Sequence, residues 1–367
     1  MKATETTLEI DLNALAANYT YLRSKIKPET KLMAVVKAYS YGSDSVAISK
    51  KLETLGADYF AVAYASEGVA LRKSGITTPV LVLHPLTAHF KSITDRCLEP
   101  NLYSKNLLEK FIAFAEKEKM ENYPIHIKIN SGMNRLGFAP DEMQSVAEIL
   151  NKTQSVKVKS IFSHLAASED EANRAFAERQ IESYLKCYET LTENLGYKPL
   201  RHTLNTSGIL NFSDAQFDMV RSGIGLYGYG NSPEEDKNLT PVATLKTIIS
   251  QIHHLNKGEN VGYNFGFTAE KAMKIATLPL GHADGISRSY GKGKGFVYIN
   301  GQKASTVGNI CMDMFMVNVT DIDCQEEDEV IVFGKGASAE NFANSINSIS
   351  YEIITAISQR VKRVVAG

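Results

Sequence analysis

The chain has 367 residues, 44% of them hydrophobic, with 40 Lys and Arg against 41 Asp and Glu and a formal net charge of −1. That balance provides no basic field for nucleic acid or acidic membranes, and no uncharged apolar run reaches bilayer length. The length exceeds one ordinary small domain and suits an α/β barrel of roughly 250 residues joined to a smaller domain.

The N-terminus, MKATETTLEIDL, lacks the apolar core of a signal peptide. Cys97, Cys187, Cys311 and Cys324 are scattered and form no CxxC pair, and the eight histidines form no HExxH. This usage suits a reducing cytoplasm and argues against a disulfide framework or a dedicated metal site.

In chain order, the apolar runs LMAVVK (32–37), YFAVAY (59–64), PVLVLH (79–84), IHIKIN (125–130), KSIFSHL (159–165), RHTLN (201–205) and MVRSGIGLY (219–227) read as strands. Helical patterns such as 44–56, 106–119 and 175–196 lie between them. Continuous apolar strands alternating with helices predict a parallel sheet covered on both faces, closed most naturally into a (β/α)8 barrel. A polar, proline-punctuated stretch, GNSPEEDKNLTP (230–241), then changes the pattern, which places a domain boundary between residues 235 and 236. Beyond it, short runs broken by Gly and Asn turns predict a mostly antiparallel β domain, with one late helix over 338–358.

Barrel enzymes carry reactive groups at the C-terminal ends of their strands. Lys37 sits at such an end. It is either a solvated lysine whose stem covers apolar surface or an amine whose lowered pKa permits Schiff-base chemistry. Tyr41 follows four residues later as a candidate phosphate donor. Arg135, between glycines in GMNRLGF, is by itself a tight turn with an exposed arginine. His164, at the end of an apolar strand, is by itself more often a satisfied core histidine. Asn205, Thr206 and Ser207 precede a helical stretch, where the same chemistry caps a helix or binds phosphate. Arg221 lies inside an apolar strand, where an unpaired charge costs several kcal/mol, and Gly223 then permits close backbone approach. Their shared placement at successive strand ends favours one functional face over independent surface decoration.

The segments AVVKAYSYG, GMNRLGF, FSH, HTLNTS, MVRSGIGLYG, VGYNFGFTA, VGNICMDMFMV and SYEIITAISQRV occur in the order found in the bacterial alanine racemase family. The chain resembles that family from Leu8 to Arg360, and the combination of the barrel lysine, GMNRLGF and ICMD is specific. The resemblance implies that Lys37 holds pyridoxal 5′-phosphate (PLP) as a Schiff base and acts as one catalytic base, with Tyr263 as the second on the opposite face. It assigns Tyr41, Asn205, Thr206, Gly223, Ile224 and Tyr351 to the phosphate end of the cofactor. His164 is set against its ring, and Arg221 at its pyridine nitrogen. Arg135 and Met312 are implied substrate contacts, and Lys128 matches a lysine carbamylated in many members. It also implies a homodimer in which each barrel receives Tyr263 and Met312 from the other subunit, and D-alanine supply for peptidoglycan.

The sequence departs from the family pattern at Tyr39, Ser40 and Ser43 beside the phosphate, and at Asn130, where aspartate is usual. His282 and Asn309 replace a common tyrosine and arginine near the substrate corridor. These last two leave open a racemase acting on serine or a broader set of small amino acids. A PLP decarboxylase of related fold would carry an acidic residue where Arg221 stands. A non-catalytic PLP-binding protein on the same barrel would lack Tyr263 and ICMD. Some relatives are fused to a cell-wall ligase.

Overall fold

The computed structural model describes residues 3–367. Strand β1 (Thr7–Asp11) is followed by β2 (Lys31–Val35), β3 (Tyr59–Val62), β4 (Val80–Val82), β5 (Glu99–Leu102), β6 (Tyr123–Lys128), β7 (Val156–Phe162), β8 (Leu200–His202) and β9 (Met219–Ser222). Strands β2 to β9 form one parallel sheet of eight, in the order β8-β7-β6-β5-β4-β3-β2-β9. Backbone bonds from Asp218 N to Arg201 O at 3.2 Å and from Arg221 N to Leu204 O at 3.0 Å link its two ends, giving the expected barrel.

Helices cover the barrel strands as their spacing requires. The longest, Arg174–Leu195, buries Ala177, Gln180, Tyr184, Cys187, Tyr188 and Leu191, a stripe at three- and four-residue intervals. Inside the barrel, Met33, Tyr59, Ala61, Leu81, Phe162 and Met219 form an apolar cluster. Asn101, His126, Lys128, Ser160, His202 and Arg221 are also buried. A lumen carrying that many polar groups departs from the aliphatic layers of an ordinary barrel core.

The remaining strands are β10 (Ala243–Ile248), β11 (Gln251–Leu255), β12 (Asn260–Val261), β13 (Phe267–Thr268), β14 (Met273–Leu278), β15 (Phe296–Ile299), β16 (Gln302–Val307), β17 (Phe315–Asn318), β18 (Glu329–Phe333) and β19 (Lys362–Ala366). Nine strands form a mostly antiparallel sheet, β11-β14-β17-β16-β15-β18-β10-β1-β19, in which β1 pairs antiparallel with β10 and parallel with β19. The chain divides into a barrel unit, Ala16–Ser40 with Ser45–Leu239, and a sheet unit of the residues up to Leu15, Tyr41–Asp44 and Thr240–Gly367.

Three differences from the sequence expectations have local causes. The boundary drawn between 235 and 236 assigned the N-terminus to the barrel, but ladder pairing draws Thr7–Asp11 into the second sheet. The single late helix is two, Ala339–Asn344 and Ser350–Ala356, because Asn347 between them takes a left-handed φ of 58°. Strand β2 ends at Val35, and Lys37 opens a separate turn, Lys37–Gly42.

Candidate active site

The Lys37 turn has an uncommon backbone. Ala38, Tyr39, Ser40 and Tyr41 have φ between 53° and 55°, so this is one turn of left-handed helix. Each such non-glycine residue costs about 1–2 kcal/mol, and strain of this kind concentrates at functional positions. Gly42 closes the turn at φ 80°, where a Cβ would lie 2.0 Å from Ile354 O. Ser40 N donates to Val36 O at 3.1 Å. The carboxylate of Glu67 accepts from Ala38 N at 2.6 Å, Ala63 N at 2.7 Å and Tyr64 N at 3.1 Å, so one side chain ties the turn to the end of β3.

The barrel unit gathers a cluster of cations around Lys37. Burial, then the Arg135 charge, lowers the Lys37 pKa, and Glu67 opposes them. Lys128, buried at the end of β6, has its pKa lowered to about 7 by burial and then by Arg221, Arg135 and Lys37. Its Nζ stands 4.8 Å over the Phe162 ring, and no carboxylate pairs with it among the described residues. Arg135 is exposed, on a turn capped by Asn130, whose Oδ1 accepts from Gly132 N at 3.2 Å and Asn134 N at 2.9 Å. An amide caps this turn as the usual aspartate would.

Arg221 is buried and saturated on one side. Nη1 donates to His202 Nδ1 at 2.6 Å and His202 O at 3.2 Å. Nη2 donates to Ser163 O at 2.8 Å, Thr203 O at 3.0 Å and His164 Nδ1 at 3.2 Å. Its Nε alone has no protein acceptor among the described residues. Burial lowers the Arg221 pKa to about 10, so the guanidinium stays charged at neutrality. Burial and then Arg221 press the His164 imidazole well below its ordinary value, which keeps it neutral and able to accept.

The phosphate candidates of this unit lie at the next strand ends. Asn205 caps the short helix Thr206–Asn211, its Oδ1 accepting from Gly208 N at 2.9 Å and from Ser168 Oγ at 2.7 Å. Thr206 Oγ1 lies 3.1 Å from Ser222 Oγ and accepts from Gly225 N at 3.3 Å. Gly223 and Ile224 lead into the turn Ile224–Tyr227, and a Cβ on Gly225 would lie 2.5 Å from Thr206 Cγ2. The crowded turn and the uncommitted Arg221 Nε–H suit a phosphorylated pyridine ring that needs one donor at its nitrogen.

The sheet unit holds Tyr41, Tyr263, Met312 and Tyr351. The Tyr41 and Tyr351 rings are 6.0 Å apart, and burial raises the Tyr41 pKa. Tyr263 is 77% exposed on a turn with left-handed Gly262, Asn264 and Phe265. Asn309 Nδ2 donates to Tyr263 O at 3.0 Å, so this departure from the family pattern holds the tyrosine loop. Met312, 59% exposed, neighbours Asp313, which Arg360 bridges to Asp284 at 2.7 and 2.6 Å. His282 is exposed.

Sequence reasoning missed Glu67 and His202. The available signal for Glu67 was an acidic residue in the first turn of a helix after a barrel strand.

Residues 10–231 match the N-terminal domain of alanine racemase and residues 242–365 its C-terminal domain. Alanine racemase 1 of Clostridium acetobutylicum is 38% identical over 368 residues, covering 97% of this chain and 94% of that one. The structure of alanine racemase from Clostridium difficile 630 superposes with a TM-score of 0.92 at 32% identity, over 100% of this chain and 97% of its own. Alanine racemase from Bartonella henselae, solved with covalently bound pyridoxal phosphate, gives 0.89 at 29% identity, over 99% and 100%. With both domains matched in order and nearly the whole length aligned, the chain belongs to the alanine racemase family.

Proposed function

We propose that the chain interconverts L- and D-alanine by a two-base reaction with PLP held on Lys37, and that the D-alanine serves peptidoglycan synthesis. The observation that carries this reading is the cationic cluster around Lys37, with an arginine and no acid beside the place a pyridine nitrogen would take. Bound PLP would supply the electron-withdrawing ring that makes the substrate Cα–H acidic.

The chain's own residues do the rest. Lys37, its pKa lowered by burial, takes the α-proton on one face, and Tyr263 returns one on the other. Arg135 receives the substrate carboxylate, a charge that a guanidinium pairs with in two parallel bonds. Arg221 would offer its Nε–H to the ring nitrogen and, because a guanidinium can only donate, would leave that nitrogen unprotonated. Thr206, Gly223, Ile224, Asn205, Tyr41 and Tyr351 would hold the phosphate, and the neutral His164 would lie against the ring.

Lys128 belongs to the same reading as a carbamate. With a pKa of about 7, much of its amine is neutral and nucleophilic at physiological pH. Addition of CO2 forms the N–C bond and releases one proton, which puts an anion among Arg135, Arg221 and Lys37. Protein equilibrated with 13C-labelled bicarbonate is expected to show a carbamate carbon resonance that disappears in Lys128→Ala. Its persistence in the variant would place the carbamate elsewhere.

The exposure of Tyr263 and Met312 supports a homodimer in which each barrel receives both residues from the other subunit. The cysteines are unpaired, which supports a reducing cytoplasm. Among the described residues no helix is long and apolar enough to cross a membrane. Borohydride reduction of PLP-loaded protein followed by peptide mass spectrometry tests the assignment: the label belongs on Lys37, and an unlabelled Lys37 would overturn it.

A further inference from the structure

A hydrogen-bonded chain runs through the barrel lumen from Arg221 to a carboxylate that the reaction does not touch. Arg221 Nη1 lies 2.6 Å from His202 Nδ1, His202 Nε2 lies 2.8 Å from Ser160 Oγ, Ser160 Oγ lies 2.5 Å from His126 Nδ1, and His126 Nε2 lies 2.7 Å from Glu99 Oε2. His126, Ser160 and His202 are fully buried, and Glu99 is the polar residue that opens β5. The Phe162 ring stacks on His202 at 4.7 Å with a 3° tilt, which fixes the plane of that imidazole.

The two ends of this chain dictate its direction. A guanidinium has no lone pair to offer, so His202 Nδ1 must be the acceptor and the His202 proton must sit on Nε2. That proton goes to Ser160 Oγ. Ser160 has no further partner among the described residues, so its own proton can be satisfied only at His126 Nδ1. His126 therefore carries its proton on Nε2 and donates it to Glu99. At the other end the carboxylate can only accept, which demands the same orientation. Both termini agree, and the reversed chain would aim an N–H of His202 at an N–H of Arg221. Burial and the Arg221 charge hold His202 well below the ordinary imidazole pKa, consistent with a ring that accepts from the guanidinium.

We propose that Glu99 is a positioning residue: through His126, Ser160 and His202 it fixes the one hydrogen-bond direction that seats the Arg221 guanidinium and aims its uncommitted Nε–H. The consequence for the cofactor rests on the PLP reading above; the direction of the chain does not.

Neutron diffraction from crystals exchanged into deuterated buffer reads the direction without any variant. Deuterium is expected on Nε2 of both His126 and His202, absent from both Nδ1 atoms, with the Ser160 deuteron toward His126. Deuterium on Nδ1 of either ring would overturn the proposal. Two substitutions test the link to Arg221. Glu99→Leu removes the terminal acceptor and is expected to lower kcat about tenfold, leave KM for alanine within about twofold, and shift the visible band of the bound cofactor. Glu99→Gln, whose amide oxygen still accepts from His126, is expected to restore most of the rate and the band. Wild-type rate and band in Glu99→Leu would overturn the proposal, as would a Gln variant as impaired as the Leu variant. Protein that showed no cofactor band at all would instead refute the PLP reading, and the neutron result would still decide the chain direction.

Discussion

Lys37 leads into four consecutive left-handed residues, and Tyr263 is followed by two, Asn264 and Phe265. Both turns hold bulky side chains at a φ that L-residues avoid, and both carry a proposed base. They differ in what holds them. The Lys37 turn is fixed from the barrel side by a Glu67 carboxylate that accepts three backbone N–H groups. The Tyr263 turn is exposed, and one amide, Asn309, bonds its carbonyl. A base that also binds a cofactor covalently needs an over-determined position within its own unit. A base on an exposed loop needs something to cover it, and in the proposed dimer that cover is the other subunit.

The comparison can be broken at either base. Lys37→Ala is expected to remove the bound-cofactor band and lower racemisation by at least about 10³-fold; a fully active variant would exclude Lys37 as reagent. Tyr263→Phe is expected to cost about 10²–10⁴-fold while the band remains. In deuterated water that variant should exchange the α-proton of one alanine enantiomer faster than it inverts it. Racemisation near the wild-type rate would refute the two-base assignment.

Smaller changes sharpen the contrast between the supports. Gly42→Ala forces a Cβ against Ile354 O at positive φ, so thermal unfolding should report a loss of about 3 kcal/mol or more. An unchanged melting temperature would show that the left-handed turn is not what the sheet unit requires. Glu67→Ala strands three N–H groups, with an expected cost of about 2 kcal/mol and about a tenfold fall in kcat. Asn309→Ala removes one exposed bond and should cost about 0.5 kcal/mol, with activity within about threefold of wild type. Equal effects from these two would erase the distinction between the turns.

The barrel was legible because strands buried on both faces write continuous apolar runs. Strand β5, Glu99–Leu102, escaped that signal: Pro100 interrupts it, and Glu99 and Asn101 put polar groups where the pattern needs aliphatics. The same substitution of polar for apolar builds the chain to Arg221, so the strand hardest to see carries the proposed positioning residue. Strands β1 and β19 were hidden for another reason, since short segments such as TLEID and KRVVA become strands only through pairing across the whole chain length. At the site, Arg221 announced itself as a charge inside an apolar run, and Lys37 as a charge after one. The left-handed turn left no trace, because AYSY contains no glycine to mark positive φ. Glu67 showed only as an acidic residue in the first turn of a helix, since the backbone N–H groups it receives are placed by the fold alone.

Proton NMR of L-alanine and L-serine, incubated separately with PLP-loaded protein in deuterated water and followed by chiral analysis, tests the central claim most directly. The account predicts rapid α-deuteration of alanine with formation of D-alanine, and little turnover of serine. Comparable serine turnover would widen the substrate to small amino acids, and no α-exchange with alanine despite a bound cofactor would contradict the account.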